Sequence, residues 1–284
     1  MDDVLLMGAV AYDPKVVTIW DGFRRWFDQR GLPFDYLLYS NYERQVEDLL
    51  AGRIHAAWNS PLAWVRARRL AQSSGADVRA LAMRDTDCDL TSVIVVRADS
   101  PITDIGGLKG RVVGTGAIDS PQASLLTLDH LRTHGVDPDA LEVRRFDIGV
   151  GLHGDHTGGE QEAARALVAG EVDAACMIDG NHLLFAREGT FATGATRVIT
   201  QTAPFDHCNM TVIGTAPTAL VERFGELLLG MDYGDPEVRP LLDLEGLKQW
   251  RTGRVSGYAA LEHAVDSLSF YDTKGAITAA GYRP

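Results

Sequence analysis

The sequence predicts an α/β protein built as two similar lobes. Three observations predict it. First, one stretch of text occurs twice: residues 49–57, LLAGRIHAA, are echoed by residues 167–175, LVAGEVDAA. Second, short apolar runs alternate with helix-periodic segments over most of the chain, the βαβ pattern of a mostly parallel, doubly wound sheet. Third, four strands are followed by a polar break that opens a helix: Asp13-Pro14, Asn59-Ser60-Pro61, Ser120-Pro121-Gln122 and Asp179-Gly180-Asn181. Such breaks lie at the carboxyl ends of strands, where open α/β sheets bind ligands.

The elements follow in order. Residues 4–11 read as the first strand, and Asp13-Pro14 starts a helix that Gly31 ends. Residues 34–39 are a strand, and Asn41 caps a helix over 42–51. Gly52 suits the left-handed turn after that helix, leading to a buried strand over 54–58 and a helix over 61–72. Residues 78–83 and 90–96 are further strands. Ala98-Asp99-Ser100-Pro101 reads as a crossing into the second lobe. There, 111–116 is a strand, 122–134 a helix stopped by Gly135, and 141–146 a strand. The Gly-rich stretch 148–159, IGVGLHGDHTGG, is a loop. Residues 160–169 are a helix, 172–178 a strand and 181–187 a short helix. Strands over 196–202 and 210–215 flank a second crossing over 201–209. Helices over 217–231, 242–250 and 259–267 complete the chain.

Composition bounds the function. The chain has 284 residues, 45% hydrophobic and 23% charged, as in an ordinary globular protein with room for two cores. A net charge of −12 argues against nucleic acid or an anionic membrane, which require a basic face. It leaves room for a small anion, which needs only a local set of donors. No stretch is long and apolar enough to span a bilayer. The N-terminal text has acids where a signal peptide has bases, so a cytoplasmic protein is expected as the sequence stands, and a periplasmic or cell-surface one if a leader has been removed. Cys88, Cys176 and Cys208 form no CxxC pattern and no disulfide framework.

The helix starts carry the chemistry. Their free N–H groups and positive dipole ends can hold an anion, which puts Asn59, Ser60, Ser120, Gln122, Asp179 and Asn181 at candidate ligand contacts. Ordinary capping explains each one singly. Aromatics near these breaks, Tyr12 and Tyr42 among them, combine an apolar body with a polar handle. None of the four lysines falls in an evident pocket, which disfavours Schiff-base chemistry. His153, Asp155 and His156 in the Gly-rich loop, with His207 beside Cys208, offer the other chemistry. His153, His156 and His207 are the metal candidates, but the loop lacks the helical spacing of an HExxH site, so no metal or other cofactor is predicted and a divalent metal remains the alternative.

Residues 42–65 (YERQV…LAGRIHAAW…SPLAWV), 104–113 (DIGGLKGRVV) and 167–175 together resemble the type II periplasmic binding protein superfamily, in its phosphonate/phosphite/phosphate-binding branch of ABC-transporter substrate-binding proteins. The resemblance implies two lobes joined by two hinge crossings, with lobe one over 1–97 plus 204–284 and lobe two over 98–203. It implies lobe closure on a small polar anion, an oxyanion or carboxylate, and an ABC-transporter permease as partner. It carries ligand-contact roles to Tyr42, Asn59, Ser60, Ser120, Gln122 and Asp179, with His156 and His207 replacing other contacts. At the branch's Ser-Thr-Ser anion grip this chain has Ser120-Pro121-Gln122, so only the first hydroxyl is kept. The same superfamily includes enzymes, which leaves the alternative of a lyase, decarboxylase or cofactor-biosynthesis enzyme with His156, His207 and Asp155 as its acid–base groups.

Overall fold

The computed structural model describes residues 4–155 and 157–284. β1 (Leu5–Val10) is buried along nearly its whole length, as expected of a strand covered on both faces. α1 (Lys15–Asp28) lays Ile19, Phe23 and Phe27 into the first core. β2 (Phe34–Tyr39) pairs with β1 in parallel, Leu5 opposite Phe34. Asn41 caps α2 (Tyr42–Leu50), its side chain accepting from the Arg44 N–H at 2.9 Å. Gly52, at a φ of +69°, turns the chain into β3 (Ala56–Asn59). Ser60 caps α3 (Pro61–Ser74) by accepting from the Ala63 N–H at 3.1 Å. β4 (Val78–Arg84) ends this passage.

β5 (Ser92–Arg97), β6 (Val112–Thr115), α4 (Leu126–Thr133), β7 (Glu142–Arg145), α5 (Gly158–Ala169), β8 (Ala174–Ile178), α6 (Asp179–Arg187) and β9 (Thr196–Gln201) make the second lobe, with sheet order β7-β6-β8-β5-β9. The repeated text builds the same turn in both lobes: Gly170, at a φ of +76°, does for α5 and β8 what Gly52 does for α2 and β3. The chain returns as β10 (Asn209–Ile213), then α7 (Thr218–Leu229), α8 (Arg239–Glu245), β11 (Trp250–Thr252) and α9 (Ala259–Ser267). The first sheet runs β11-β4-β10-β3-β1-β2.

Two expectations need correction. Only β1, β2 and β3 in one sheet, and β6, β7 and β8 in the other, pair in parallel; β10 and β5 are antiparallel to both their neighbours. These are the strands that enter a sheet from the cleft, so they run opposite to strands that end there. The lobe boundary at 97/98 also moves. β5 pairs with β8 and β9, so it belongs to the second sheet, and the first crossing is residues 85–91, where Leu90 bridges Phe205 of the returning crossing. Residues 98–101, read as a crossing for their Pro, turn the chain after β5; the real crossing, DTDCDLT, carries neither Gly nor Pro.

The C-terminal part differs as well. The helix expected over 242–250 stops at Gly246, at a φ of +82°, and Trp250 instead opens the edge strand β11. Its ring packs edge-on against Phe23 at 6.2 Å and Trp58 at 5.5 Å, joining α1 and β3 beneath it. Residues 259–284, expected in lobe one, pack on both lobes: Leu261, Val265 and Phe270 share one core with Leu62 and Val65 of α3 and with Leu125 and Leu126 of the second lobe. The expected helix start at Gln122 is a widened π-type turn over Pro121–Leu125 before α4. Replacing buried Trp250 by Ala should cost about 3–5 kcal/mol, the usual range for emptying a large aromatic site. Urea unfolding measures it, and a loss below 1 kcal/mol would contradict the packing of β11 described here.

Candidate functional site

Strands β1, β3, β4 and β8 end at the cleft, and β10 starts there. Between these ends lies a cavity of about 220 Å³. From the first lobe and the returning crossing it is lined by Tyr12, Lys15, Trp58, Arg84, His207 and Cys208. Gln122, Gly154, Asp155, Ile178 and Asn181 line it from the second. Each polar residue stands where a strand meets a turn or a helix start, which is why these side chains converge.

The loop after β7 closes the cavity. His153 is fully buried at a φ of +50°, and its ring is gripped by the first lobe. Nδ1 lies 2.6 Å from the Ser60 hydroxyl and Nε2 lies 2.9 Å from the Glu43 carboxylate; the ring stacks on Tyr42 at 4.8 Å. The Tyr271 hydroxyl donates to the same Glu43 oxygen at 2.7 Å. Burial works against charge on both partners, yet each outweighs it in the other: His153 is pushed up from its usual value, and Glu43 is held down to about 2. One turn on, the Tyr42 hydroxyl donates to Asp155. Asp155 is thereby set against the first lobe, its other oxygen 4.0 Å from His207 Nε2 and 3.9 Å from the Cys208 thiol.

Arg84 is the main cation of the wall, and most of its capacity is used. Nε and Nη2 bind Asp87 at 2.6 and 2.9 Å, and Nη1 binds the Glu245 carbonyl at 2.8 Å and its carboxylate at 3.3 Å. Its guanidinium also lies 5.3 Å over the Trp58 ring. Burial pushes Glu245 up to about 7 despite Arg84, whereas Arg84 outweighs burial for Asp87 and holds it at about 2. Burial raises Asp155 too, against the pull of His207, the Tyr42 hydroxyl and Arg84. Lys15 is exposed at the mouth, forms no ion pair among the described residues, and carries its ammonium 5.7 Å from the centre of the Tyr12 ring. On the opposite wall, Gln122 donates to the Gly154 carbonyl and Asn181 to Glu160. Glu160 Oε1 and Gln122 Oε1 have no partner among the described residues, and burial raises the Glu160 pKa.

Of the residues picked from sequence, Tyr12, Gln122, Asn181, His207 and Asp155 line the cavity. Others stand behind it. Tyr42, Ser60 and His153 form the contact between lobes. Asn59 is spent inside lobe one, accepting from Gln45 and donating to Thr211. Ser120 caps the turn before α4, its hydroxyl accepting from the Ala123 N–H, and Asp179 accepts from the Thr91 hydroxyl and from Gly180. Of the metal candidates, His153 is bonded to Ser60 and Glu43 instead, and His156 lies outside the described residues. Sequence reasoning missed Arg84 and Glu245, at an ordinary strand end and helix end, and Asp87 in the first crossing. It also left Lys15 out of any pocket; the structure places it at the mouth because it opens α1 just past the β1 break.

Two hinged lobes with a small polar cavity between them define a ligand-capturing binding protein. Residues 9–258 match the family described as ABC transporter, phosphonate, periplasmic substrate-binding protein. The chain belongs to that family. No curated protein sequence matches it. Among solved structures it is similar to PhnD1 from Prochlorococcus marinus in complex with methylphosphonate, at 18% identity and a TM-score of 0.70, over 95% of this chain and 99% of that one. It is similar to XAC2383 from Xanthomonas citri bound to ATP, at 17% identity and a TM-score of 0.68, over 93% and 98%. The aliphatic sulphonate binding protein SsuA from Escherichia coli follows at 17% and 0.57, over 94% and 92%. At these identities the likeness establishes the fold. Family membership favours capture over the enzyme reading of His156, His207 and Asp155.

The contact between lobes carries a pH signature. The raised His153 pKa contributes stability that is complete below its unfolded value of 6.5 and is lost as pH rises through its folded value. The lowered Glu43 pKa contributes stability that is complete above 4.5 and is lost as pH falls through about 2. Replacing Glu43 by Ala should cost about 3 kcal/mol near pH 6, since it strands a buried partner. Thermal melts of both proteins from pH 5 to 9 (about the span of histidine titration) should show the gap narrowing on the alkaline side. A gap independent of pH would contradict the ion pair.

Proposed function

We propose that this protein captures a small oxyanion of phosphonate or phosphate size, or a compact carboxylate, in the cavity between its lobes and hands it to an ABC-transporter permease. The observation that carries this reading is the cavity itself: about 220 Å³, lined from both lobes, with a lysine at its mouth that forms no ion pair among the described residues. That volume lies below the roughly 300–1,000 Å³ typical of pockets for drug-sized ligands, so a ligand of few heavy atoms fits best. The family supplies the ligand class and the transporter partner. Lys15 and the amide groups of Gln122 and Asn181 offer donors to oxyanion oxygens. Asp155 offers an acceptor, which suits an anion that still carries a proton, such as a hydrogen phosphonate. The family's setting supports the periplasm as the place of action. Among the described residues no helix is long and apolar enough to cross a membrane.

The test is a thermal-melt panel on metal-stripped protein with methylphosphonate, phosphite, phosphate, sulfate, methanesulfonate and acetate. An anion at about 100 times its dissociation constant should add roughly 2.7 kcal/mol and raise the Tm by several degrees. Lys15→Ala should weaken that anion about tenfold, the value of one charge-assisted hydrogen bond. A panel in which no oxyanion or carboxylate moves the melt would overturn the reading.

A further inference from the structure

The returning crossing presents a second chemistry to the cavity that anion capture does not use. His207 and Cys208 are consecutive, buried, and both border the cavity. The Cys208 sulfur lies 3.1 Å from His207 Nδ1, and Asp87 Oδ1 lies 3.5 Å from the same nitrogen. The three ligand atoms all fall within 4.8 Å of one another. Donors on a tetrahedral zinc ion, at bond lengths of about 2.0–2.3 Å, stand roughly 3.3–3.6 Å apart. The sulfur–nitrogen and nitrogen–oxygen spacings are therefore close to coordination values, and the sulfur–carboxylate spacing lies within 4.8 Å.

The surroundings support a cation. Arg84 grips Asp87 through two nitrogens and so fixes the carboxylate that faces His207. The same guanidinium also serves Glu245. Asp155 reaches in from the second lobe, 3.9 Å from the Cys208 sulfur and 4.0 Å from the far nitrogen of His207. A divalent ion would balance the carboxylates that Arg84 and Lys15 leave over, together with the thiolate that coordination creates.

We propose that Asp87, His207 and Cys208 form a site for a divalent transition metal of the zinc class, on the cavity wall. Thiolate, imidazole and carboxylate together suit zinc and its cobalt substitute and disfavour magnesium or calcium, which take oxygen ligands. Binding displaces the thiol proton to solvent, with no redox change. The remaining coordination position faces the cavity and is open to water or to an oxyanion oxygen.

The test uses the whole chain, reduced, chelator-treated and free of oxygen, titrated with cobalt(II) alone. The expected result is a near-ultraviolet thiolate-to-cobalt charge-transfer band that saturates at one cobalt per chain and is bleached by zinc. Cys208→Ser should abolish the band and weaken binding on the order of 100-fold, and His207→Gln by about 10-fold or more. Cys176→Ser, in β8 away from the cavity, should leave the band unchanged. Absence of the band in the unaltered protein, or its survival in Cys208→Ser, overturns the site, and the unaltered protein decides even if a variant fails to fold. Because cobalt is the only ligand added, a negative result here leaves the oxyanion reading standing, and the reverse also holds.

Discussion

The buried contact between Glu43 and His153 organises the cleft. Glu43 belongs to α2 of the first lobe, and His153 to the loop after β7 of the second. Their bond, braced by Ser60 and Tyr271, pins that loop to the opposite lobe. Once it is pinned, Gly154 and Asp155 become walls of the cavity, Tyr42 meets Asp155, and Asp155 comes within reach of His207 and Cys208. A buried charge pair is expensive to form and more expensive to break singly, so it is better suited to specifying one arrangement of lobes than to adding bulk stability. Bulk stability comes from the cores, including the one that residues 259–284 build across both lobes.

The cleft is more acidic than an oxyanion site built from cations alone would be. Asp87 and Glu245 share Arg84, and burial lifts Asp155 and Glu245 toward the protonated form. Positive charge in reach of a ligand is Lys15 and what remains of Arg84. Specificity in such a site rests on matching donors and acceptors one by one, because a closed, low-dielectric cavity penalises each unpaired polar group. The Ser120 hydroxyl caps its own turn, which leaves Gln122 and Asn181 as the second lobe's amides lining the cavity.

Most of the fold was legible because its signals are local. The repeated Leu-Ala-Gly text marks the same glycine turn twice, and capping residues Asn41, Ser60 and Ser120 do in the structure what their positions imply. The misplaced first crossing shows the limit. A hinge need not be rich in Gly or Pro when its strand, β5, is held by partners 80 to 110 residues away, roughly the separations that local pattern reading cannot see. The site was legible to the same degree. Helix starts led to Gln122 and Asn181, whereas Arg84 pairs locally with Asp87 and meets Glu245 only through the tertiary contact of α8 with β4. Asn59 and Asp179 sit at the right edge of the sheet but turn to neighbours in the protein.

The most direct test of the account is a crystal structure of the protein grown with the oxyanion that stabilises it most. The account expects that anion in the cavity between Lys15, Tyr12 and the Gln122–Asn181 wall, with the Glu43–His153 contact intact around it. An anion bound outside the cleft, or a closed cavity that excludes it at saturating concentration, would contradict the central claim that the lobes close on a small oxyanion there.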